Sequence, residues 1–254
     1  MEYKTPGTPH QTITQDVAVK ISNDNQKLYQ SGVGMLLWLV KHSRPDIANA
    51  VQELTKVLDG ASAAALKEML RTIKYVLDTK NYALKMKPNF DAKNMWSMLA
   101  FCDSDYATDP DTRKSVSGFV LYLCGVPILW QSKGQKLVTL SSTEAEYISL
   151  SETAREVKFV YQVLRSMGIS VKLPITIRVD NVGAIFMAEN PGISQRTKHV
   201  DVRFKFVNEL VNDGFLEVIF VKTLENDSDI FTKNLSVELQ NKHADKMVGQ
   251  KGED

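Results

Sequence analysis

Between residues 26 and 79 the apolar positions recur at helical spacing and fall into three segments. The first carries Leu36, Leu37 and Val40 and ends near Ser43-Arg44-Pro45, because a proline disfavours helix in the residue before it. The second, 47–58, is stopped by Asp59-Gly60. The third, 62–78, places Leu66, Met69, Leu70, Ile73 and Leu77 on one side and Lys67, Arg71 and Lys74 on the other. The pattern predicts a small helical module whose basic face is either solvated surface or a contact for a nucleic-acid backbone. Residues 1–26, where Pro6, Gly7 and Pro9 stand among polar residues without a period, read as a mobile linker or extended arm.

After the break at Lys87-Pro88-Asn89 the period shortens to that of a strand. Strands are expected at 97–103, 116–123 and 126–132, the last two joined by a tight hairpin across Cys124-Gly125. Ser141-Ser142-Thr143-Glu144 has the form of a capping box, with Ser141 as the cap, and opens a helix that stops at Gly168. Next come a strand at 174–180, a helix at 182–189, a break at Asn190-Pro191-Gly192 and a helix at 197–212 with Val200, Phe204, Val207 and Val211 on one stripe. A strand at 215–221 and an acidic turn at 225–229 lead into Ile230-Phe231-Thr232, and a polar tail closes the chain. The order βββαβααβα describes an α/β sheet with both antiparallel and parallel pairings.

With 254 residues, 43% of them hydrophobic, the chain can bury a real core. Lys and Arg total 31 against 30 for Asp and Glu, so the net charge of +1 points neither toward nor away from nucleic acid, and any basic surface must be local. Cys102 and Cys124 lie in apolar stretches without Cys-x-x-Cys spacing, which argues against a zinc site or a disulfide framework and for buried thiols in a reducing, intracellular setting. No run approaches the ~18 apolar residues of a membrane helix, and the polar N-terminus lacks a signal-peptide core. Gly32-Val33-Gly34 lacks the third glycine of a dinucleotide fingerprint, and the four histidines are too scattered for a triad or a metal cluster.

The chemistry lies in carboxylates. Leu99-Ala100-Phe101-Cys102-Asp103 is an apolar run ending in a charge, which belongs at the carboxyl edge of a sheet, where open α/β folds build ligand crevices. The strand ending at Asp180 is parallel to it if the long helix crosses between them, so both acids emerge at one edge. Brought together with Glu146 and Asp229 they repel unless a divalent cation neutralises them. Hard oxygen ligands suit Mg²⁺ or Mn²⁺, and two such ions ~4 Å apart stabilise the attacking and leaving oxygens of phosphodiester hydrolysis. Spacing leaves alternatives open: Asp180 before Asn181 also suits an Asx turn or a cap, Asp229 suits an N-cap, and Asp109 and Asp111 around Pro110 suit a turn. Glu144 is spent on its cap, which leaves Glu146 free, and His199 beside Lys198 reads as a surface or capping residue.

Ser142-Thr143-Glu144-Ala145-Glu146-Tyr147, Val179-Asp180-Asn181, Thr197-Lys198-His199-Val200-Asp201-Val202-Arg203 and Ser228-Asp229-Ile230-Phe231-Thr232-Lys233 resemble the ribonuclease H region of copia-type retrotransposon polyproteins. Upstream, Leu28-Tyr29-Gln30-Ser31-Gly32-Val33-Gly34 and Ser43-Arg44-Pro45-Asp46-Ile47-Ala48 resemble the segment between the reverse-transcriptase palm and ribonuclease H in the same elements. The resemblance covers nearly the whole chain up to about Leu235 and is carried by the order and spacing of the motifs together. It implies a ribonuclease H-like mixed five-stranded sheet flanked by helices and preceded by a helical connection module. The division it implies is an arm at 1–26, the module at 27–90, the ribonuclease H domain at 94–237 and a polar tail at 238–254.

The resemblance also implies an activity, Mg²⁺-dependent endonucleolytic hydrolysis of the RNA strand of RNA·DNA hybrids. Asp103 would bridge two Mg²⁺ ions, with Mn²⁺ able to substitute. Glu146 would hold one ion near the 2′-hydroxyl of the scissile nucleotide, the group that tells RNA from DNA. Asp180 would complete that shell, and Asp229 would hold the ion that activates the attacking water. Lys133, Lys136, Arg196 and Lys198 are either salt-sensitive phosphate contacts near the cleft or solvated loop residues. Many ribonucleases H carry a mobile histidine before the last acid; 221–225 has none, as is usual in copia-type members, which bears on turnover rate. No Asp-Asp pair is present, so the polymerase metal motif is missing and the chain is not expected to copy DNA alone. Besides the hybrid, the expected partner is the upstream polymerase domain of a polyprotein, with no membrane. Two rivals remain: a catalytically inactive nucleic-acid-binding remnant, and a structural piece that works only with that polymerase domain.

Overall fold

A computed structural model of the chain describes residues 3–14, 20–90, 95–190 and 198–250. The helical period of the first third resolves into α1 (Asn23–His42), α2 (Ala48–Thr55) and α3 (Ala63–Asp78), with a 3-10 turn at Pro45–Ile47 between the first two. Hydroxyl caps start two of them: Ser22 accepts from the Asn25 N–H and Ser62 from the Ala65 N–H. Tyr29, Val33, Leu36, Ile47, Val51, Leu54 and Met69 close their common core. In α3 the buried face differs from the expected one. Ala65, Met69, Thr72 and Tyr75 point inward, whereas Leu70 and Leu77 are exposed, because the helix packs through a neighbouring arc that shares only Met69 with the apolar stripe. The basic face is also partly engaged: Arg71 donates to Thr5 and lies over the Tyr3 ring, and Lys74 pairs with Asp78.

Residues 3–14 have partners rather than running free. The Thr8 N–H and hydroxyl both donate to Glu68, at 3.1 and 2.8 Å, Thr72 donates to the Pro6 carbonyl, and the His10 N–H reaches the Asn234 carbonyl at 2.9 Å.

Beyond a short strand, β1 (Tyr82–Leu84), the strand-like period builds a meander of β2 (Met98–Asp105), β3 (Val116–Leu123) and β4 (Val126–Gly134). Cys124 and Gly125 turn the hairpin with φ of 50° and 81°, the left-handed pair that a two-residue connection needs. After α4 (Ser142–Ser166) come β5 (Ile175–Val179), α5 (Val182–Glu189), α6 (Lys198–Asn212) and β6 (Leu216–Phe220). The strand order is β4-β3-β2-β5-β6, antiparallel within the meander and parallel from β2 through β5 to β6. This is the mixed five-stranded, helix-flanked sheet that the resemblance implied.

Alternation along β2 sends Ala100 and Cys102 to the face covered by α4, α5 and α6, and Phe101 to the other face. There the pattern-based expectation of a polar tail is corrected. Residues 237–250 form α7 (Val237–Met247) and β7 (Val248–Gln250), with Gln240, His243, Ala244 and Met247 buried on one stripe. The polar residues on that stripe have partners: Gln240 donates to the Asp46 carbonyl at 2.9 Å, and His243 Nδ1 lies 3.2 Å from Asp227. β7 pairs antiparallel with β1, and Trp130 of β4 donates to the Val40 carbonyl of α1, so the helical module and the sheet share the Phe101, Val120, Phe231 and Met247 core. Among the described residues no helix is long and apolar enough to cross a membrane.

Candidate active site

β2 and β5 are parallel neighbours, in register from Leu99 with Thr176 to Phe101 with Arg178. Asp103 on β2 and Asp180 just past β5 therefore leave the sheet at one edge. Asp180 is not consumed by the helix behind it, because Asn181 makes that cap by accepting from the Ala184 N–H at 3.0 Å. Asp229 arrives from the other face on a 3-10 turn, Asp227–Phe231. It is no cap either: Asn226 caps that turn toward Ser228, while its amide donates to the Cys102 carbonyl at 3.1 Å and ties the turn to β2. Gly118, opposite Asp103 in the β2–β3 register, lets the turn close. A Cβ there would stand 2.6 Å from Phe231 Cβ and 3.1 Å from the Phe231 carbonyl carbon. One carboxylate oxygen from each of Asp103, Asp180 and Asp229 then lies within 4.8 Å of the others.

The fourth acid comes from the opening of α4. The expected cap forms with one difference, Ser141 taking the Glu144 N–H while Glu144 reaches back to the Leu140 N–H at 2.8 Å. With Glu144 so engaged, Glu146 turns inward. Its Oε1 accepts from the Ser104 N–H at 3.1 Å, and its Oε2 is buried with no hydrogen-bond partner.

These acids perturb one another. Burial first, then the charges of Asp103 and Asp180, push Glu146 up to about 9. Burial and Asp103 raise Asp229 to about 7 against the pull of Lys233, and burial with Asp103 also raises Asp180. Counter-charge comes from Lys233, whose Nζ lies 3.2 Å from Asp103 Oδ2 and 3.3 Å from Asp229 Oδ1. Hydroxyls fix the remaining directions: Thr232 donates to Asp103 Oδ2, Thr223 to Asp180 Oδ2 at 2.9 Å, and Ser149 to the Asp103 backbone carbonyl at 2.8 Å. A donor set made only of carboxylate oxygens, mutually repelling and with one buried oxygen unsatisfied, fits a hard divalent cation.

The basic residues singled out from the sequence are more dispersed. Lys133 pairs with Ser117, which pairs with Ser104, so it sits exposed two strands, about 10 Å, from the edge of β2. Lys136 is exposed in the following loop. Arg196 lies outside the described residues, as do the side chains of Lys198 and His199, although Lys198 begins α6. Asp109 closes a turn by accepting from the Asp111 and Thr112 N–H groups. The sequence reading gave no role to Lys233, Thr232 and Asp105. Lys233 and Thr232 stand in the same Ser-Asp-Ile-Phe-Thr-Lys run as Asp229, and a cation four residues after an acid in a helical turn was the available signal.

No protein-family model matches the chain. It is 34% identical over 232 residues, 91% of its length, to the retrovirus-related Pol polyprotein from transposon RE1 of Arabidopsis thaliana, and 34% identical over 205 residues to that from transposon TNT 1-94 of Nicotiana tabacum. The chain spans about 15% of the length of these two polyproteins. Among solved structures, LC11 ribonuclease H1 in complex with an RNA/DNA hybrid superimposes with a TM-score of 0.40 at 12% identity, covering 54% of this chain and 94% of that one.

Proposed function

Because this chain is 34% identical over 91% of its length to the retrovirus-related Pol polyprotein of transposon RE1, of which it matches about 15%, we propose that it is the ribonuclease H segment of a copia-type element and hydrolyses the RNA strand of RNA·DNA hybrids. The meeting of Asp103, Asp180 and Asp229 at one sheet edge, with Glu146 presented there by α4, carries the assignment. These four carboxylates are the proposed ligands of two Mg²⁺ ions, for which Mn²⁺ substitutes. When bound, the ions supply counter-charge to the acids, acidify water and stabilise charge on the phosphodiester oxygens.

The chain's own groups do the rest. Asp103, 1% exposed, is fixed by Thr232 on its carboxylate and Ser149 on its carbonyl, so the central ligand needs little reorganisation. Thr223 orients Asp180 in the same way. Glu146 is anchored through one oxygen and leaves the other for a ligand. Lys133, Lys136, Arg196 and Lys198 are proposed phosphate contacts, which makes hybrid binding weaken with salt. The proposed division is a connection module over 27–90 and a ribonuclease H region over 94–237, the upstream polymerase domain being a further partner. Retention of all four acids, with threonines supporting two of them, favours an enzyme over a binding remnant.

The test is cleavage of an end-labelled RNA·DNA hybrid with Mg²⁺, with Mn²⁺ and with chelator, beside Asp103→Asn. Metal-dependent loss of the RNA strand alone, abolished in the variant, is the expected result. Wild-type cleavage by Asp103→Asn overturns the central ligand, and hybrid binding without metal-dependent cleavage overturns the enzyme.

A further inference from the structure

We propose that Lys233 is a positioning residue, the built-in counter-ion of this centre, which holds Asp103 and Asp229 together in the absence of a cation and withdraws toward Asp105 when one binds. The inference rests on the reading of the acids as a divalent-cation site. Its starting point is a conflict of occupancy. The Lys233 ammonium lies 3.2 Å from Asp103 Oδ2 and 3.3 Å from Asp229 Oδ1, and these two acids belong to the trio whose oxygens gather within 4.8 Å. A divalent ion drawing on the same carboxylates meets an ammonium already in contact with them. Two cations sharing those oxygens repel, and the repulsion is large where water is partly excluded. Lys233 either weakens the binding of every cation or moves.

The surroundings give it somewhere to go. The Lys233 side chain is 32% exposed and borders a cleft of about 250 Å³, lined also by Glu53, Asp105, Thr108 and His10. A lysine on its four-carbon stem moves in such a space without disturbing the backbone, which a guanidinium fork does less readily. Asp105 is two residues beyond Asp103 on β2 and so lies on the same face of the strand, one repeat further along. It is the destination that holds no salt bridge among the described residues, its carboxylate meeting the Thr108 hydroxyl and the field of Lys233, whereas Glu53 in the same cleft is already 2.6 Å from Lys56. Because Lys233 follows Asp229 by four residues in one turn, its departure releases Asp229 from the ion pair without detaching the turn itself.

A purely structural ion pair and a displaceable counter-ion predict opposite signs. The test uses the full chain and its Lys233→Met, Lys233→Arg and Asp105→Asn variants. Mg²⁺ affinity is taken by titration calorimetry, and melting is followed with chelator and with Mg²⁺. The expected results for Lys233→Met are a lower melting temperature in chelator and Mg²⁺ binding about tenfold tighter than wild type or better, because a competing charge has gone. Lys233→Arg keeps the charge on a fork that withdraws less readily and binds Mg²⁺ more weakly than wild type, and Asp105→Asn, which removes the destination, binds Mg²⁺ several-fold more weakly. Equal or weaker Mg²⁺ binding by Lys233→Met overturns the proposal. If that variant does not fold, Asp105→Asn decides, and wild-type affinity there overturns it. Absence of Mg²⁺ binding by both the wild type and Lys233→Met removes the cation site itself and the inference with it, an outcome distinct from equal affinities.

Discussion

Alanine at Gly118 would put a methyl group between the central strand and the turn that carries the last acid. The added carbon stands 2.6 Å from Phe231 Cβ, 2.7 Å from Thr232 Cγ2 and 3.1 Å from the Phe231 carbonyl carbon. The obstacle is therefore the turn's backbone as well as its side chains, and Phe231 is 0% exposed with no room to rotate away. Restoring ordinary carbon contacts of ~3.5 Å moves the turn outward by roughly 0.5–1 Å. Overpacking of this kind costs about 1–3 kcal/mol, and at this chain length each kcal/mol lowers Tm by about 2–4 °C, so a loss of about 2–12 °C is expected. The same shift carries Asp229 and Thr232 away from Asp103, and a displacement approaching 1 Å costs about 10²-fold in rate. Gly134→Ala is the control, because its added carbon meets only Gln52 Nε2, at an ordinary 3.7 Å. Thermal melting and initial rates of hybrid cleavage read both effects. Gly118→Ala melting within about 1 °C of wild type and cleaving at the wild-type rate, or Gly134→Ala losing as much, refutes the packing argument.

Met247→Ala, at a 0% exposed position of α7, should cost about 2–5 kcal/mol and move the urea midpoint accordingly; an unchanged midpoint would place α7 outside the cooperative unit. Asn226→Ala strands the Cys102 carbonyl in a buried setting and should cost about 1–3 kcal/mol, with cleavage falling further than stability because Asp229 loses its tether; equal losses in both would contradict that role. The metal-free protein should lose stability as pH rises from about 4 to about 9. Asp229 and Glu146 have folded-state values raised to about 7 and about 9 from 3.8 and 4.5, so deprotonation favours the unfolded chain across that window. Melting in chelator that climbs between pH 5 and 8, or a pH slope that saturating Mg²⁺ leaves unaltered, contradicts this.

What was legible in the chain was local. The β3–β4 hairpin announces itself through Cys124-Gly125, and the α4 opening through Ser141 and Glu144, because turn and cap chemistry lie within a few residues of each other. Asp103 and Asp180 were readable as acids ending apolar runs, which parallel pairing must bring to one edge. The rest needed partners distant in sequence. Gln240 and His243 interrupt the apolar stripe of α7, and their burial makes sense only beside Asp46 and Asp227. The inward face of α3 was misread because Thr72 and Tyr75, rather than Leu70 and Leu77, meet the neighbouring elements. Lys233 sat in a quoted motif without a role, since only the folded turn shows that its amine reaches Asp103 as well as Asp229.

The pairing of β1 with β7 also sets an order of assembly during synthesis. Tyr82–Leu84 leaves the ribosome before the sheet, and its partner Val248–Gln250 follows only after the whole five-stranded sheet has been made. Until then the Phe101 and Tyr122 face lacks Met247 and Val248. Closing so long a loop after the sheet gives the nascent chain a slow step, in which β7 ties the helical module to the sheet. A ribosome stalled before residue 237 would therefore hold a sheet with one face bare, a species for chaperones rather than for substrate.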